Sequence, residues 1–391
     1  MNKTKLHILV IPTWYPSGED KLMGEYHREF TESLNKRNDA YANMIYVQRE
    51  RLKKPLEYIK MPKWETIQEN NYVTMKLHML NINPINEIWQ LNWYTKKMEK
   101  LFKKYVKKYG KPDVLHAQVT LPAGYAAAKI GNKYDIPVVT TEHGVFQRRF
   151  FKGKLEKYGN YVLDNTIFTT VSQDLENKLK PEVEKAERMP NSVDTSAYLN
   201  VKNKKKNKTI DLIQVCALRK AKRTDLIMDA MKILIEQGQK TNLTVVGDGF
   251  EANLFKDMCK EKNMEKHVTF VGQKNKQEIA EYFSKVDIAM IASDYETFAI
   301  PGVEALAAGI PVVSTKCGGP EEYLNSKCGE LCEINNAESM AKAIKKVYDK
   351  LENYDIKYLK SVALRYDEKS VTDTAMKLYK KAMNKKNKDN K

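Results

Sequence analysis

The sequence predicts an α/β protein with two doubly wound parallel sheets, and three observations carry this prediction. Short, nearly continuous apolar runs alternate with amphipathic helical patterns along the chain, which is typical of parallel strands covered by helices on both faces. A lysine-rich stretch with almost no apolar content, residues 201–208, divides this alternation into two series. The length of 391 residues is sufficient for two hydrophobic cores.

The first series contains six short apolar runs that we predict as strands: Leu6–Ile11, Met44–Gln48, Val73–Met79, Val114–His116, Val138–Thr140 and Phe168–Val171. Apolar and polar residues alternate in the third run, which predicts a half-exposed strand. Amphipathic helical patterns separate the strands at Glu25–Arg37, Glu87–Tyr109, Pro122–Tyr134 and Gln173–Lys180.

The second series alternates more regularly. Its predicted strands are Ile210–Cys216, Leu243–Val246, Val268–Val271, Ile288–Ile291 and Val312–Ser314. Its predicted helices are Thr224–Glu236, Glu251–Asn263, Lys276–Lys285, Gly302–Ala308 and Glu338–Leu351, followed by a final helix over Val371–Lys381. Strands that alternate with helices of this length favour βαβ units and therefore a parallel sheet.

We therefore predict a Rossmann-like domain over residues 1–198, a basic linker over 199–209 and a second Rossmann-like domain over 210–366. Residues 367–391 are predicted as a C-terminal helix with a basic tail. Open α/β sheets bind ligands beyond the carboxyl ends of their strands. We accordingly expect the two domains to face a cleft that is lined by loops from both.

Composition narrows the class of partners. Lysine and arginine number 67 against 50 acidic residues, a net charge of +17, which favours anionic ligands or surfaces. Neither a groove-reading helix nor an aromatic stacking platform is evident, so nucleic acid is not an expected partner. The sequence contains no apolar run long enough to span a membrane and no export signal, so we expect a cytoplasmic protein with free thiols. Cys328 and Cys332 lack a second ligand pair, and no metal site is predicted.

The strongest local signal runs from Ser293 to Ser314. Glu296 lies in a loop after a predicted strand, and Glu304 follows eight residues later, where a helix begins near Gly302. The first amides of a helix have no intrahelical partner and suit an anion or sugar hydroxyls. Two carboxylates beside these amides can accept hydrogen bonds from vicinal hydroxyls. The alternative is that both are surface acids that cap the helix.

This spacing resembles the signature of glycosyltransferase family 4. The other motifs that carry the resemblance are Asp113-Val-Leu-His116, Thr141-Glu-His-Gly144, Pro190-Asn-Ser-Val-Asp194, Val245-Val-Gly-Asp-Gly249, Val268-Thr-Phe-Val-Gly272, Gly309-Ile-Pro-Val-Val and Gly318-Gly319. The resemblance implies a GT-B fold whose last helix crosses back to the first domain. It also implies retaining transfer of a sugar from a nucleotide-diphosphate donor, with a UDP-sugar favoured. The implied acceptor is a polysaccharide or lipid-linked saccharide in bacterial surface-glycan synthesis.

The resemblance assigns the donor-binding residues. Glu304 matches the residue that binds the ribose hydroxyls, and Glu296 matches the one that meets the donor sugar. Lys222 matches the lysine that neutralises the diphosphate leaving group, which is the main electrostatic task of the reaction. The remaining donor-binding positions are the amides of Phe298, Ala299 and Ile300, and the glycines Gly24, Gly247 and Gly272. Because lysine and amides can replace a metal, and no Asp-x-Asp motif occurs, we expect neither metal nor cofactor.

Two positions depart from the family pattern. The family often has Gly-Arg-Leu before its lysine, whereas this chain has Cys216-Ala-Leu-Arg219. Whether the displaced Arg219 contacts phosphate stays open. The family also often has a glycine pair where this chain has the single Gly24, after a loop that begins at Tyr15.

His143 follows the predicted strand Val138–Thr140, and the matching family histidine lies against the donor sugar. We therefore count it with Lys222 and Glu296 as catalytic. The sequence offers no clear nucleophile, so we expect front-face displacement assisted by the leaving phosphate.

A basic helix predicts contact with an anionic membrane. Seven lysines fall within an arc of about 140° on the helix that ends at Tyr109, and Trp89 and Trp93 project onto this arc. Tryptophan beside lysine is typical of surfaces that meet lipid headgroups. The inner face of the plasma membrane is the expected location. The candidate acceptor or membrane residues are Trp89, Trp93, Lys97, Lys100, Lys104, His116, Arg148 and Arg149.

Two other functions stay open on the same architecture. An epimerase or hydrolase would process the nucleotide sugar without an acceptor. A non-catalytic subunit would bind the nucleotide sugar only, although the presence of Glu296, Glu304, Lys222 and His143 argues against it.

Overall fold

The computed structural model describes residues 5–16, 24–50, 63–80 and 86–389. Most of the predicted loop between Tyr15 and Gly24 lies outside these residues. The chain divides into two compact units. Unit 1 comprises Met1–Ser192 together with Val371–Lys391, and unit 2 comprises Val193–Ser370. In the described part of the chain, no helix combines the length and apolarity needed to cross a bilayer.

Unit 1 is built on a largely parallel sheet. Its strands are β1 (Leu6–Pro12), β2 (Ala40–Glu50), β3 (Trp64–Gln68), β4 (Val73–Leu80), β5 (Val114–Gln118), β6 (Val138–Glu142), β7 (Ile167–Thr170) and β8 (Glu187–Arg188). The strand order is β3-β4-β2-β1-β5-β6-β7-β8, and only the pairing of β3 with β4 is antiparallel. The order reverses direction at β1 and β5, which creates a switch point between these two strands.

Helices cover both faces of this sheet. They are α1 (Glu25–Asn35), α2 (Glu87–Tyr109), α3 (Tyr125–Tyr134), α4 (Glu156–Asn165), α5 (Gln173–Leu179) and, from the end of the chain, α12 (Glu368–Asp389). Helices α1 and α12 pack on one face and α2 and α3 on the other. The buried residues of α12 include Val371, Ala375 and Tyr379. They form an apolar stripe that packs against the sheet of unit 1.

Strand β4 is covered on both faces, contrary to the half-exposed strand that its alternation predicts. Thr74 and His78, on the polar positions of the pattern, are buried. His78 lies 2.7 Å from a carboxylate oxygen of Glu50 and 3.0 Å from one of Glu65. Two carboxylates therefore flank the buried ring, and the one of Glu50 hydrogen-bonds Nδ1, which offsets part of the cost of burying a polar side chain.

Unit 2 has a wholly parallel sheet over its described strands. These are β9 (Thr209–Val215), β10 (Lys240–Val246), β11 (Val268–Gly272), β12 (Ile288–Ile291), β13 (Val312–Thr315) and β14 (Gly329–Cys332). The order is β11-β10-β9-β12-β13-β14, which is the order of a Rossmann fold with its switch point between β9 and β12. The helices are α6 (Thr224–Glu236), α7 (Ala252–Glu261), α8 (Lys276–Phe283), α9 (Ile300–Ala307), α10 (Ala337–Asp349) and α11 (Ile356–Ala363).

The predicted linker over 199–209 is part of unit 2. Tyr198 is fully buried, and Lys204 forms ion pairs with Asp211 and with Asp287, whose Oδ2 lies 2.9 Å from Nζ. Asp287 is 2% exposed, and burial raises its pKa although Lys204 acts in the opposite direction. A lysine of the predicted solvated run is thus the counter-ion of a buried carboxylate, so this segment packs on the unit.

His116 belongs to the core of unit 1 and reaches no surface, so the acceptor or membrane contact predicted for it does not hold. Its Nδ1 lies 2.8 Å from the Tyr379 hydroxyl and its Nε2 lies 2.8 Å from Thr141 Oγ1. Burial lowers the pKa of His116 to about 3 and that of His143 also to about 3. The pKa of the buried His27 is likewise low because of burial and the two other imidazoles.

Replacement of Lys204 by methionine should destabilise unit 2. The substitution leaves the buried carboxylate of Asp287 without its cation, which costs about 3 kcal/mol of unfolding free energy. Lys208→Met is the matched control, because this lysine of the same run is exposed and its loss should cost under about 0.5 kcal/mol. Urea denaturation followed by circular dichroism measures both. Equal stabilities of the two variants would contradict a structural role for Lys204.

Stability should fall as the pH falls below about 6.5, because the unfolded chain then binds protons that the buried imidazoles cannot accept. Between pH 7 and pH 5, each such histidine should lower the unfolding free energy by about 2 kcal/mol. His116→Asn should reduce the difference in stability between these two pH values by that amount. Gln237→Asn, at an exposed position of unit 2 that carries no titratable group, is the control and should leave the difference unchanged. An unchanged difference in His116→Asn would refute the assignment of a neutral, buried His116.

Candidate active site

Two loops meet at the switch point of unit 2 and bring the predicted lysine and glutamate together. Lys222 lies in the loop after β9 and Glu296 in the loop after β12, which are adjacent strands. Lys222 Nζ lies 2.5 Å from Glu296 Oε1. The hydroxyl of Ser293 donates to the same carboxylate oxygen at 2.7 Å. The site is therefore built where an open α/β sheet binds its ligands.

The ion pair is only partly exposed to water, with side-chain exposures of 27% for Lys222 and 14% for Glu296. Burial by itself lowers the pKa of Lys222, but the charge and hydrogen bond of Glu296 outweigh it, so the pKa is raised. Lys222 is thus a fixed cation at neutral pH.

The loop after Glu296 is held in a strained conformation. Ala299 has φ +63°, a left-handed conformation that costs a residue with a Cβ about 1–2 kcal/mol. The Tyr323 hydroxyl donates to the Ala299 carbonyl at 2.9 Å, and the buried Phe298 ring packs against Tyr323 and Tyr366. These contacts fix the turn from which α9 begins at Ile300, and with it the amides of Phe298, Ala299 and Ile300.

Glu304 is not a surface acid. Its side chain lies in the second turn of α9 and is 8% exposed, and the Tyr198 hydroxyl donates to Oε1 at 3.0 Å. No side chain caps α9. The alternative in which Glu296 and Glu304 only cap this helix therefore does not hold.

The predicted glycines lie in turns at the ends of strands. Gly247 has φ +129°, and a Cβ there would lie 1.9 Å from the Cys216 carbonyl oxygen; the loop after β10 can thus approach the loop after β9 only with glycine. Gly272 is the last residue of β11. Arg219 is exposed, and its guanidinium lies 5.9 Å from the centre of the Phe250 ring. It shares the loop of Lys222 but is not part of the ion pair with Glu296.

In unit 1, His143 follows β6 on a loop that a buried carboxylate holds in place. Glu142 is fully buried and accepts hydrogen bonds from the amides of Thr120, His143 and Gly144 and from the Thr120 hydroxyl. His143 Nε2 lies 2.7 Å from Gln118 Oε1. With its lowered pKa, His143 is a neutral imidazole at physiological pH.

Gly24 begins α1 with φ +81°, and a Cβ there would lie 2.7 Å from the Trp14 carbonyl oxygen. Only glycine therefore lets the chain turn closely past β1 into α1. His27 follows in the first turn of α1, and its ring lies 5.2 Å from that of His143. The predicted residues Gly24 and His143 thus lie near each other in unit 1.

The other predicted acceptor or membrane residues lie in two places. Arg148 pairs with Glu182 at 2.7 Å, and Arg149 pairs with Glu87 at 3.2 Å. The rest lie on α2 and, together with Trp64 of β3, which was not predicted, form an aromatic and cationic strip. This tryptophan–lysine strip consists of Trp64, Trp89, Trp93, Lys97, Lys100 and Lys104. Lys97 lies over the ring of Trp93, and Lys100 and Lys104 lie over that of Trp64.

Several residues of these sites were not predicted. Ser293 and Tyr198 orient the two glutamates, and Glu142 and Gln118 orient His143. Ser293 is the first residue of the motif, and its separation of three residues from Glu296 is the one local signal of this contact. Tyr198 lies 106 residues before Glu304, and no local pattern reports such a contact.

Two family models match the chain in tandem. The model described as Glycosyltransferase Family 4 matches residues 62–197, and the model described as Glycosyl transferases group 1 matches residues 198–356. Together they span well over half of the chain. A glycogen synthase of Mycobacterium tuberculosis is 25% identical over 252 residues, which cover 61% of each chain. The alignments span about three fifths of the length of the curated relatives.

Solved structures share the fold over nearly the whole chain. A sucrose-phosphate synthase of Thermosynechococcus elongatus has a TM-score of 0.71 at 17% identity and covers 96% of this chain and 99% of its own. Anabaena HepE in complex with UDP and glucose has a TM-score of 0.66 at 17% identity, with 95% and 98% covered. With its two family models and these neighbours, the chain belongs to glycosyltransferase family 4 and has the GT-B fold.

Proposed function

We propose that this protein is a retaining glycosyltransferase that moves a sugar from a nucleotide-diphosphate donor to a polysaccharide or lipid-linked saccharide. The observation that carries the proposal is the Lys222–Glu296 ion pair beside the start of α9. It combines a fixed cation, a carboxylate and helix amides at the switch point of unit 2. The cation and the helix amides suit a diphosphate, and the carboxylate suits a sugar with several hydroxyls.

The chemistry follows from where charge develops. When the bond between the sugar and the diphosphate breaks, the departing phosphate gains negative charge. Lys222 and the amides at the start of α9 are fixed in advance and stabilise this charge without reorganising. Glu296 accepts hydrogen bonds from the donor sugar, and Glu304, oriented by Tyr198, accepts them from the ribose. The neutral His143 serves as a hydrogen-bonding group to the donor sugar rather than as a cation.

The finer assignments rest on the relatives. The neighbour determined with UDP and glucose favours a UDP-sugar donor, and the relative named glycogen synthase favours a saccharide acceptor. A bacterial surface glycan is the proposed product class. We propose that the reaction needs no metal ion, because a lysine and helix amides supply the positive charge that a metal otherwise contributes.

Nucleoside diphosphates should stabilise the protein in the presence of EDTA, with UDP more effective than GDP or ADP. A ligand at 100 times its Kd adds about 2.7 kcal/mol to the unfolding free energy, which a thermal melt detects. Lys222→Met should weaken UDP binding ten- to hundredfold, because a charged hydrogen bond contributes about 1.5–3 kcal/mol. Glu304→Gln should also weaken it, because the ribose loses a charged acceptor.

Lys220→Met is the matched control, since this neighbouring lysine is exposed and should bind UDP as the wild type does. Lys222→Arg keeps the charge and should retain part of the affinity. Equal UDP affinity in Lys222→Met and wild type would refute the diphosphate assignment. A melting shift that appears only when Mg²⁺ replaces EDTA would refute metal independence.

We further propose that the tryptophan–lysine strip contacts an anionic membrane. Trp89 is 48% exposed, and the rings of Trp89 and Trp93 lie 5.1 Å apart. Lys97, Lys100 and Lys104 place positive charge beside tryptophan rings, the combination that suits the headgroup region. The acceptor of the proposed reaction would then be reached at the membrane surface.

Vesicle sedimentation tests this contact. The wild type should bind vesicles that contain phosphatidylglycerol and not vesicles of phosphatidylcholine alone. Replacement of Lys97, Lys100 and Lys104 by glutamine should reduce binding about hundredfold, at about 1 kcal/mol for each lysine. The control replaces Lys256, Lys260 and Lys266, which are exposed on unit 2, and removes the same charge. Equal loss in both triple variants would show that net charge, not the strip, drives binding.

A further inference from the structure

Unit 1 contains a cavity of about 200 Å³ at its own switch point. Thr13 and Trp14, which follow β1, and Leu121, which follows β5, line it, and α2 closes one side through Tyr94. Arg49, near the end of β2, also lines it. The cavity thus collects residues from the carboxyl ends of neighbouring parallel strands, where such sheets bind ligands.

Two buried hydroxyls in this lining have no hydrogen-bond partner within the described part of the chain. They are Thr13 Oγ1 and the hydroxyl oxygen of Tyr94, and the two residues are 4% and 1% exposed. An unsatisfied buried hydroxyl is destabilising, and native proteins retain few of them. Two in one cavity indicate that a ligand supplies the missing partners.

Arg49 adds an unbalanced charge. Over the described residues, no carboxylate pairs with its guanidinium and no hydrogen bond to it is formed. The adjacent Glu50 is engaged by His78 at 2.7 Å. The second arginine of the cavity, Arg149, differs because it is paired with Glu87 and is 64% exposed. The positive charge available to a ligand is therefore that of Arg49, which is half-buried.

Apart from Glu87, which pairs with Arg149, and Gln90, the remaining lining residues are apolar. Trp14, Leu91, Leu121 and Phe150 line the cavity together with the ring of Tyr94. A small inorganic anion would leave these walls without a partner, and a purely apolar ligand would leave Arg49 and two hydroxyls unsatisfied. At about 200 Å³ the cavity is smaller than the pockets that enclose whole cofactors, so it takes the head of a ligand rather than all of it.

We propose that this cavity binds an anionic group carried on an apolar body, with Arg49 on the anion and the Thr13 and Tyr94 hydroxyls completing its hydrogen bonds. Trp14, Leu121 and Phe150 pack on the apolar part. This proposal deepens the proposed function, on which it rests: the acceptor is an amphipathic anion, such as a phosphate or carboxylate on an aliphatic chain, rather than a neutral saccharide alone.

Isothermal titration calorimetry of the full chain with small probes tests the proposal. Hexyl phosphate should bind at least tenfold more tightly than inorganic phosphate and than hexanol, because only the first offers both parts. Comparison of the affinities for hexanoate and hexyl phosphate shows whether the cavity prefers a carboxylate or a phosphate head. Equal affinity for hexyl phosphate and inorganic phosphate would overturn the apolar part of the proposal, and equal affinity for hexanol would overturn the ionic part.

Two variants locate the binding. Arg49→Gln should lower hexyl phosphate affinity at least tenfold, whereas Arg365→Gln, which removes an exposed arginine of unit 2, should not change it. Tyr94→Phe should weaken binding severalfold and leave the melting temperature of the free protein unchanged or raised, since it removes an unsatisfied hydroxyl. A lowered melting temperature with unchanged affinity would assign that hydroxyl to structure and overturn its place in the site.

The test separates this proposal from the proposed function. UDP binding, measured on the same samples, reports the site of Lys222 and should be equal in wild type, Arg49→Gln and Tyr94→Phe. Hexyl phosphate binding without UDP binding would leave the cavity as an amphipathic anion site and refute the donor assignment. UDP binding without hexyl phosphate binding would refute the cavity proposal alone.

Discussion

The ion pair between Lys222 and Glu296 is the constraint on which the site of unit 2 depends. It joins the loops that leave β9 and β12, the two strands between which the sheet reverses its order. A half-buried lysine without a partner would lose its charge or pull its loop into water, so the pair fixes both loops at once. The strained turn at Ala299 is held by other contacts: Tyr323 donates a hydrogen bond to the Ala299 carbonyl, and the Phe298 ring packs against Tyr323. These contacts fix the position at which α9 begins.

Much of this architecture could be predicted, because a parallel strand that is covered on both faces appears in the sequence as a continuous apolar run. The strands and helices that were not predicted lack that signature. Gly329–Cys332 is a four-residue strand with two half-buried residues, and Trp64–Gln68 has no buried residue. Helices such as Glu156–Asn165 and Ile356–Ala363 carry weaker or shorter apolar patterns. In the site, Lys222 and Glu296 were each predicted from motifs, but their pairing spans 74 residues and no local pattern encodes it.

The pairing of charged side chains is also not predictable from the sequence. Composition states that lysine and arginine exceed the acids by 17, but not which cations are paired. Lys204 looked like one of several solvated lysines, yet the buried Asp287 requires it. Arg148 looked available to a ligand, yet Glu182 holds it. The cations that remain for ligands are those that the fold leaves beside apolar walls or aromatic rings, such as Arg49 and the lysines over Trp64. Only the tertiary structure separates the two groups, because Asp287 and Glu182 are distant in sequence from the cations that they pair with.

Lys222 and Arg49 illustrate two ways of preparing a cation for an anionic ligand. Arg49 is unpaired within the described residues, so a ligand gains its full attraction. Lys222 is already neutralised, and under the proposed function a diphosphate must share it with Glu296, two anions beside one cation. A nucleoside diphosphate alone brings nothing to relieve the carboxylate. A nucleotide sugar brings hydroxyl donors that can satisfy Glu296 while Lys222 turns to the phosphate. Under the proposed function, the pairing therefore favours the complete donor over its nucleotide fragment, and Glu296 is the residue through which the donor sugar affects the binding of the diphosphate.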